Sequence, residues 1–329
     1  MTTFRRLALL GTTSALLLTA ASAFAEPPRP ECIAPAKPGG GFDLTCKLAQ
    51  SALMDTKLLE NPMRVTYMPG GIGAVAYNTI VAQRPADENA IVAFSGGSLL
   101  NLAQGKFGKY NVNDVRWLAA VGADYGMISV RADSPYKTLK DLAAALKADP
   151  TKVVFGAGGT VGSQDWMKTA LIAKQAGVAP QQMRYVAFEG GGEVTTALLG
   201  GHIQAASGDI SEAVPMLEAG KIRILAVLAD KRLPGDLGKV PTAKEQGYDV
   251  VWPIIRGFYV GPKVSNEQYA FWEQAFKKAM ATPEFAKLRD SRDLFPFSMT
   301  GSSLDAYVKR QVREYQKVAA EFGLVNQAN

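Results

Sequence analysis

Histidine is almost missing from this chain: 329 residues hold one, His202, and only two cysteines, Cys32 and Cys46. A single imidazole excludes chemistry built on two or more histidines. Two thiols cannot make a four-thiolate zinc site. Charge is also sparse, with 36 Lys plus Arg against 30 Asp plus Glu and a formal net charge of +6. Such a mild excess is no footprint for nucleic acid, which requires clustered bases. Long apolar runs are absent beyond the extreme N-terminus, which excludes a polytopic membrane protein. Apolar residues at 47% exclude disorder as the main state.

The N-terminal run reads as an address. Arg5 and Arg6 precede an apolar stretch, Leu7 to Ala20, that is too short to span a bilayer. Ala23-Phe24-Ala25 supplies a small-x-small cleavage pattern. Residues 1–25 are therefore expected to be a signal peptide, and the mature chain to be periplasmic in a Gram-negative cell. Removing them leaves 34 bases and 30 acids, a charge of +4. Export is compatible with a disulfide between Cys32 and Cys46, but two buried free thiols fit the sequence equally well.

The remaining chain repeats one pattern. A short run rich in β-branched residues is followed by a glycine loop and then by helical periodicity. It appears at Glu31 to Ala36, Met63 to Met68 and Ala90 to Phe94, and again at Val153 to Ala157, Met183 to Phe188 and Ile203 to Ala206. Extended segments lie at Val115 to Val130 and Val250 to Val260, and the tail from Asn266 is helical. Alternating strands and helices predict an α/β protein with parallel-type sheets covered on both faces. Two such sets predict two lobes crossed twice. The expected boundaries are 26–128 plus 252–329 for the first lobe and 129–251 for the second.

Ligands of open parallel sheets bind at the C-terminal strand ends. Six glycine-rich loops lie there, each opening a helix whose first N–H groups are unpaired and carry partial positive charge. Facing lobes built this way would line a cleft with donors suited to a small anion carrying carboxylates. A nucleotide site fails on particular residues: Gly158 to Ser163 has no P-loop lysine, and Pro69 to Gly73 lacks the G-x-G-x-x-G spacing. Micromolar capture needs about 8 kcal/mol, within reach of a few charge-assisted hydrogen bonds at roughly 1.5–3 kcal/mol each. Burying a trianion without a cation is costly, so Lys37 or Arg256 is expected to help neutralise it. The candidate contacts are Lys37, Gly40, Gly41, Phe42, Ser95, Gly96, Gly159, Thr160, Ser163, Gly190, Gly191, Asp209 and Arg256. Asp43 is expected to cap the first helix. For Asp209 the choice lies between ligand contact and a cap, with the cap slightly favoured. His202 reads as a surface or packing residue. No nucleophile–base pair is apparent, so no catalysis, cofactor or metal is expected.

Taken in order, these segments resemble the extracytoplasmic solute receptors of the tripartite tricarboxylate transporter family, the TctC or Bug proteins. Ala34-Pro35-Ala36-Lys37-Pro38-Gly39-Gly40-Gly41-Phe42-Asp43 is similar to the family's first loop, and Met68-Pro69-Gly70-Gly71-Ile72-Gly73 to its second. Ala197-Leu198-Leu199-Gly200-Gly201-His202-Ile203 is close to a third segment. The longest likeness runs from Ala219-Gly220-Lys221-Ile222-Arg223 through Leu225-Ala226-Val227 and Val240-Pro241-Thr242 to Glu245-Gln246-Gly247. Two departures fall near the expected cleft: Trp166 where the family often has His, and Arg256 near a place that often holds Trp. The resemblance implies a type II periplasmic-binding-protein fold and a citrate-like or other tricarboxylate ligand. It also implies delivery of that ligand to a permease of one large and one small integral subunit; the chain itself is expected to be a monomer. A receptor feeding a signalling partner is the alternative.

Overall fold

The computed structural model describes residues 25–325. Apart from Ala25, the expected signal peptide lies outside them. The first lobe opens with β1 (Glu31–Ala34), α1 (Gly41–Asp55), β2 (Arg64–Tyr67), α2 (Ala74–Gln83), β3 (Ala90–Ser95) and α3 (Gly96–Ala103). A long strand, β4 (Arg116–Arg131), then leads into α4 (Leu139–Ala148), β5 (Val154–Gly158), α5 (Gln164–Gln175), β6 (Arg184–Phe188), α6 (Gly191–Leu199), β7 (Ala205–Asp209), α7 (Ile210–Glu218) and β8 (Ile222–Val227). The chain returns through β9 (Pro253–Val260) and closes with α8 (Asn266–Met280), α9 (Pro283–Asp290), β10 (Met299–Thr300) and α10 (Gly301–Glu321).

β2, β1 and β3 pair in parallel, as the strand–loop–helix pattern requires, and β5 lies parallel to both β6 and β7. The sheets are nevertheless mixed, because β9 and β4 run antiparallel to their neighbours. These are the two extended segments that the sequence marked as crossings. The first half of β4 pairs with β9 in one lobe, and its second half pairs with β7 and β8 in the other. One 16-residue strand therefore belongs to both lobes. Its pairing slips at Trp117/Ala119, Ala120/Gly122 and Ile128/Ser129, the bulges by which a strand bends and twists.

β1 and β3 are buried along their whole length, in keeping with their mostly apolar sequences, and the charged residue that opens β1, Glu31, is paired with Arg84. α10 crosses back onto the first lobe and inserts Leu304, Val308, Val312 and Tyr315 into its core. Cys32 at the centre of β1 and Cys46 in α1 are joined by a disulfide with a Cα separation of 5.6 Å. Among the described residues no helix is long and apolar enough to cross a membrane.

Candidate functional site

The β1–α1 loop delivers its backbone to the space between the lobes. Gly40 stands at the N-cap of α1, and no side chain caps that end. Asp43, expected to cap the helix, reaches back instead to the Gly39 N–H at 2.8 Å and takes bonds from the Tyr67 hydroxyl and the Lys47 ammonium. The helix end is thus left for another acceptor. It finds one in Glu212 of α7, whose Oε1 accepts the Gly41 N–H at 2.5 Å across the cleft. A Cβ at Gly41 would fall 2.2 Å from Nη1 of Arg256, so only glycine lets the guanidinium lie against the loop.

Arg256 on β9 is 1% exposed. Its Nη2 donates to Asp124 and to Asp209, each at 2.7 Å, its Nε donates to Asp124 at 3.1 Å, and Glu212 lies 3.9 Å away. Lys168 of α5 is fully buried. It donates to Asp165 at 2.8 Å, Asp209 at 2.6 Å and the Gly208 carbonyl at 2.9 Å, which uses all three of its protons. Asp209 therefore joins the two cations and is no helix cap: its side chain accepts nothing from α7. Asp124 takes over that part by accepting both the N–H and the hydroxyl of Ser211. The sequence offered Arg256 as a counter-charge for a guest; in the structure it is also the buried bond between a first-lobe strand and the second-lobe carboxylate.

These contacts set the proton affinities. Burial works against the Asp209 carboxylate, but Lys168 and Arg256 outweigh it and hold its pKa below the usual value. Burial raises Asp124 against the pull of Arg256. Asp165 is lifted by burial to about 6, with Lys168 opposing. Glu212 is lifted to about 8, first by burial and then by the neighbouring Asp209, with Arg256 opposing. Lys168 is raised: its two carboxylates overcome a large cost of burial.

A cavity of about 40 Å³ lies among these groups. Of the predicted residues, Gly40, Gly41, Phe42, Ser95, Ser163, Gly190, Gly191, Asp209 and Arg256 line it. Gly159 and Thr160 line an adjoining space of about 380 Å³, separated from the first by Ile72, which borders both. Ile72 has φ +51°, a costly backbone state for a β-branched residue. Gly96 lies outside both spaces, beneath the Tyr315 hydroxyl. Lys37 is exposed and bonds Glu193 at 2.5 Å across the mouth, so it leaves the neutralising position to Arg256. Ser95 and Ser163 cap α3 and α5. His202 is exposed and Trp166 is buried against Phe322, so neither reaches the cavity. Glu212, Gln164 and Asp165 also line the cavity and were not among the sequence candidates. The one available signal was Glu212's place three residues after Asp209. A larger cavity, about 980 Å³, lies away from these loops, between α7, β8 and residues 289–296. Among the described residues no cluster of His, Cys, Asp and Glu is arranged to hold a metal ion.

Two lobes joined by shared strands, with helix N-termini meeting across a buried cleft, define a solute-binding receptor. Residues 49–324 match the tripartite tricarboxylate transporter family receptor, TctC, and the chain belongs to that family. A UPF0065 protein encoded in the gbd 5' region of Cupriavidus necator is 28% identical over 297 residues, covering 87% of this chain and 85% of that one. Among solved structures, the periplasmic binding protein BugD superposes with a TM-score of 0.82 at 19% identity, over 92% of this chain and all of that one. MatC of Rhodopseudomonas palustris, solved with bound malate, gives 0.77 at 20% identity, over 88% and 98%.

Proposed function

We propose that this receptor works in the periplasm, after removal of residues 1–25. There it captures a small carboxylate between a lobe of residues 26–128 plus 252–329 and a lobe of residues 129–251, and delivers it to a permease of one large and one small integral subunit. It acts as a monomer and turns nothing over. The observation that carries this reading is the meeting of α1 and α6 by their N-termini. A Cβ on Gly40 would stand 3.5 Å from the Gly191 amide nitrogen, so two sets of helix-end donors converge on one small space. Arg256 adds a cation there, and its Nη1 bonds to no protein group among the described residues. Malate in MatC supports the carboxylate class.

The citrate-like pattern of the first loop meets a lining that holds four carboxyls, Asp165, Glu189, Asp209 and Glu212, against one cation, Arg256, with Lys168 and Asp124 buried behind it. A trianion is therefore the least favourable member of the class, and guests with one or two carboxylates fit better. Thermal unfolding in the presence of citrate, tricarballylate, malate, glutamate and aromatic acids tests the proposal. A true ligand at a hundredfold excess over its Kd stabilises by about 2.7 kcal/mol. If no carboxylate raises the midpoint, the proposal fails.

A further inference from the structure

The loop between β2 and α2 carries one branched side chain among glycines. Its φ angles are +132° at Gly70, +62° at Gly71, +51° at Ile72 and +101° at Gly73. Glycine takes such angles freely and a β-branched residue takes them at a cost, so a fourth glycine would relax the loop. The contacts of Ile72 show what the side chain does there. It reaches from the first lobe onto Gly159 of the second. A Cβ at Gly159 would stand 2.8 Å from Ile72 Cγ1 and 3.2 Å from its Cδ1, so the isoleucine fills the place of a side chain at 159. The backbone is held on both sides of this contact. The Gly71 carbonyl accepts Asn101 Nδ2 at 3.2 Å, the Gly159 N–H donates to the Phe188 carbonyl at 2.7 Å, and the Gly159 carbonyl accepts the Tyr185 hydroxyl at 2.5 Å.

The contact falls between two spaces. The one beside Gly41, Gly190 and Arg256 measures about 40 Å³, close to the ~30 Å³ share of one water in the liquid, so it seats a carboxylate head and not the chain behind it. The adjoining space of about 380 Å³ extends to Asn101, Thr160 and Lys106. Lys106 donates to the Val161 carbonyl at 3.0 Å and keeps two protons and its charge for a far carboxylate. Of the described residues, Ile72 and Glu189 border both spaces. Glu189 is an exposed side chain free to turn into water, whereas Ile72 is half-buried and locked against Gly159.

We propose that Ile72 sets the longest guest that the cleft accepts. It is a stop between the seat of the head and the adjoining space, and a chain of more than a few carbons must displace it. A smaller residue 72 joins the two spaces. This rests on the reading of the cleft as a carboxylate site and adds to it the residue that selects by length.

Calorimetric titration of malonate, succinate, adipate and suberate into the wild type, Ile72→Gly and Ile72→Ala tests it. The ratio of suberate to malonate affinity is expected to rise about tenfold or more in Ile72→Gly, the scale on which apolar pockets discriminate methylene groups. In Ile72→Ala it is expected to rise by a smaller factor, and that variant, which keeps a Cβ, guards against misfolding of the first. Binding of suberate by the variants alone would support the inference. A ratio that rises in neither variant, with malonate still bound, would overturn it and leave carboxylate capture standing. No binding of any of the four acids to any of the three proteins would overturn both.

Discussion

Glu212 is a second-lobe carboxyl that occupies the amide end of a first-lobe helix, and its proton has a measurable consequence. Its folded pKa of about 8 stands above its ordinary value of 4.5. Between these values the folded chain binds a proton that the unfolded chain has released, so stability falls as pH rises across that window. Asp165, raised from 3.8 to about 6, adds to the fall at its acid end. The ligand-free protein should therefore lose on the order of 5 °C in unfolding midpoint between pH 5 and pH 8. Glu212→Gln should flatten that slope, and a wild-type midpoint independent of pH would contradict the assignment. Nothing in the local sequence announces this residue. Its neighbour Asp209 stands directly after a strand and could be singled out. Glu212 gains its role only from Gly41, 171 residues away. Arg256 and Asp124 meet across 132 residues. Periodicity reads which face a residue takes, and gives no account of what a distant element brings to it.

The β1–α1 unit shows what was legible at the scale of elements. The apolar run, the glycines and the following helix predicted its position, and the loop lies at the cleft. Its cap was misread because Asp43 is short enough to bond the residue before the N-cap and is held there by Tyr67 and Lys47. The antiparallel placement of β9 was not legible, since an extended run carries no mark of its direction. The cysteines could be read either way, and the structure joins them. Their bond closes a ring with a sequence separation of 14 around the whole cleft loop, a length for which cross-linking contributes about 3 kcal/mol through the unfolded chain. Denaturant unfolding with and without reductant should show a loss of that size, and Cys32→Ala with Cys46→Ala should reproduce it. An unchanged midpoint would mean that the packing of α1 against β1 holds the loop unaided.

For the whole molecule, the closed arrangement rests on unlike contacts. Lys37 and Glu193 form an exposed pair at the mouth, worth little in water. Arg256 and Asp209 form a buried one, and Asp209 also holds Lys168. Asp209→Ala leaves two buried cations short of a partner, a change that costs about 3–5 kcal/mol. It should also loosen the ligand-free protein, seen as a larger radius of gyration in small-angle scattering; an unchanged radius would show that other contacts keep the lobes together.

β4 is common to both sheets, so opening and closing must be taken up by winding or unwinding it, in the manner of a torsion bar. A bar of this kind has a resting angle. Whatever angle its bulges and its ladder to β9 prefer, any solute that holds the lobes elsewhere works against that preference, and the tightness of its grip is reduced by the work.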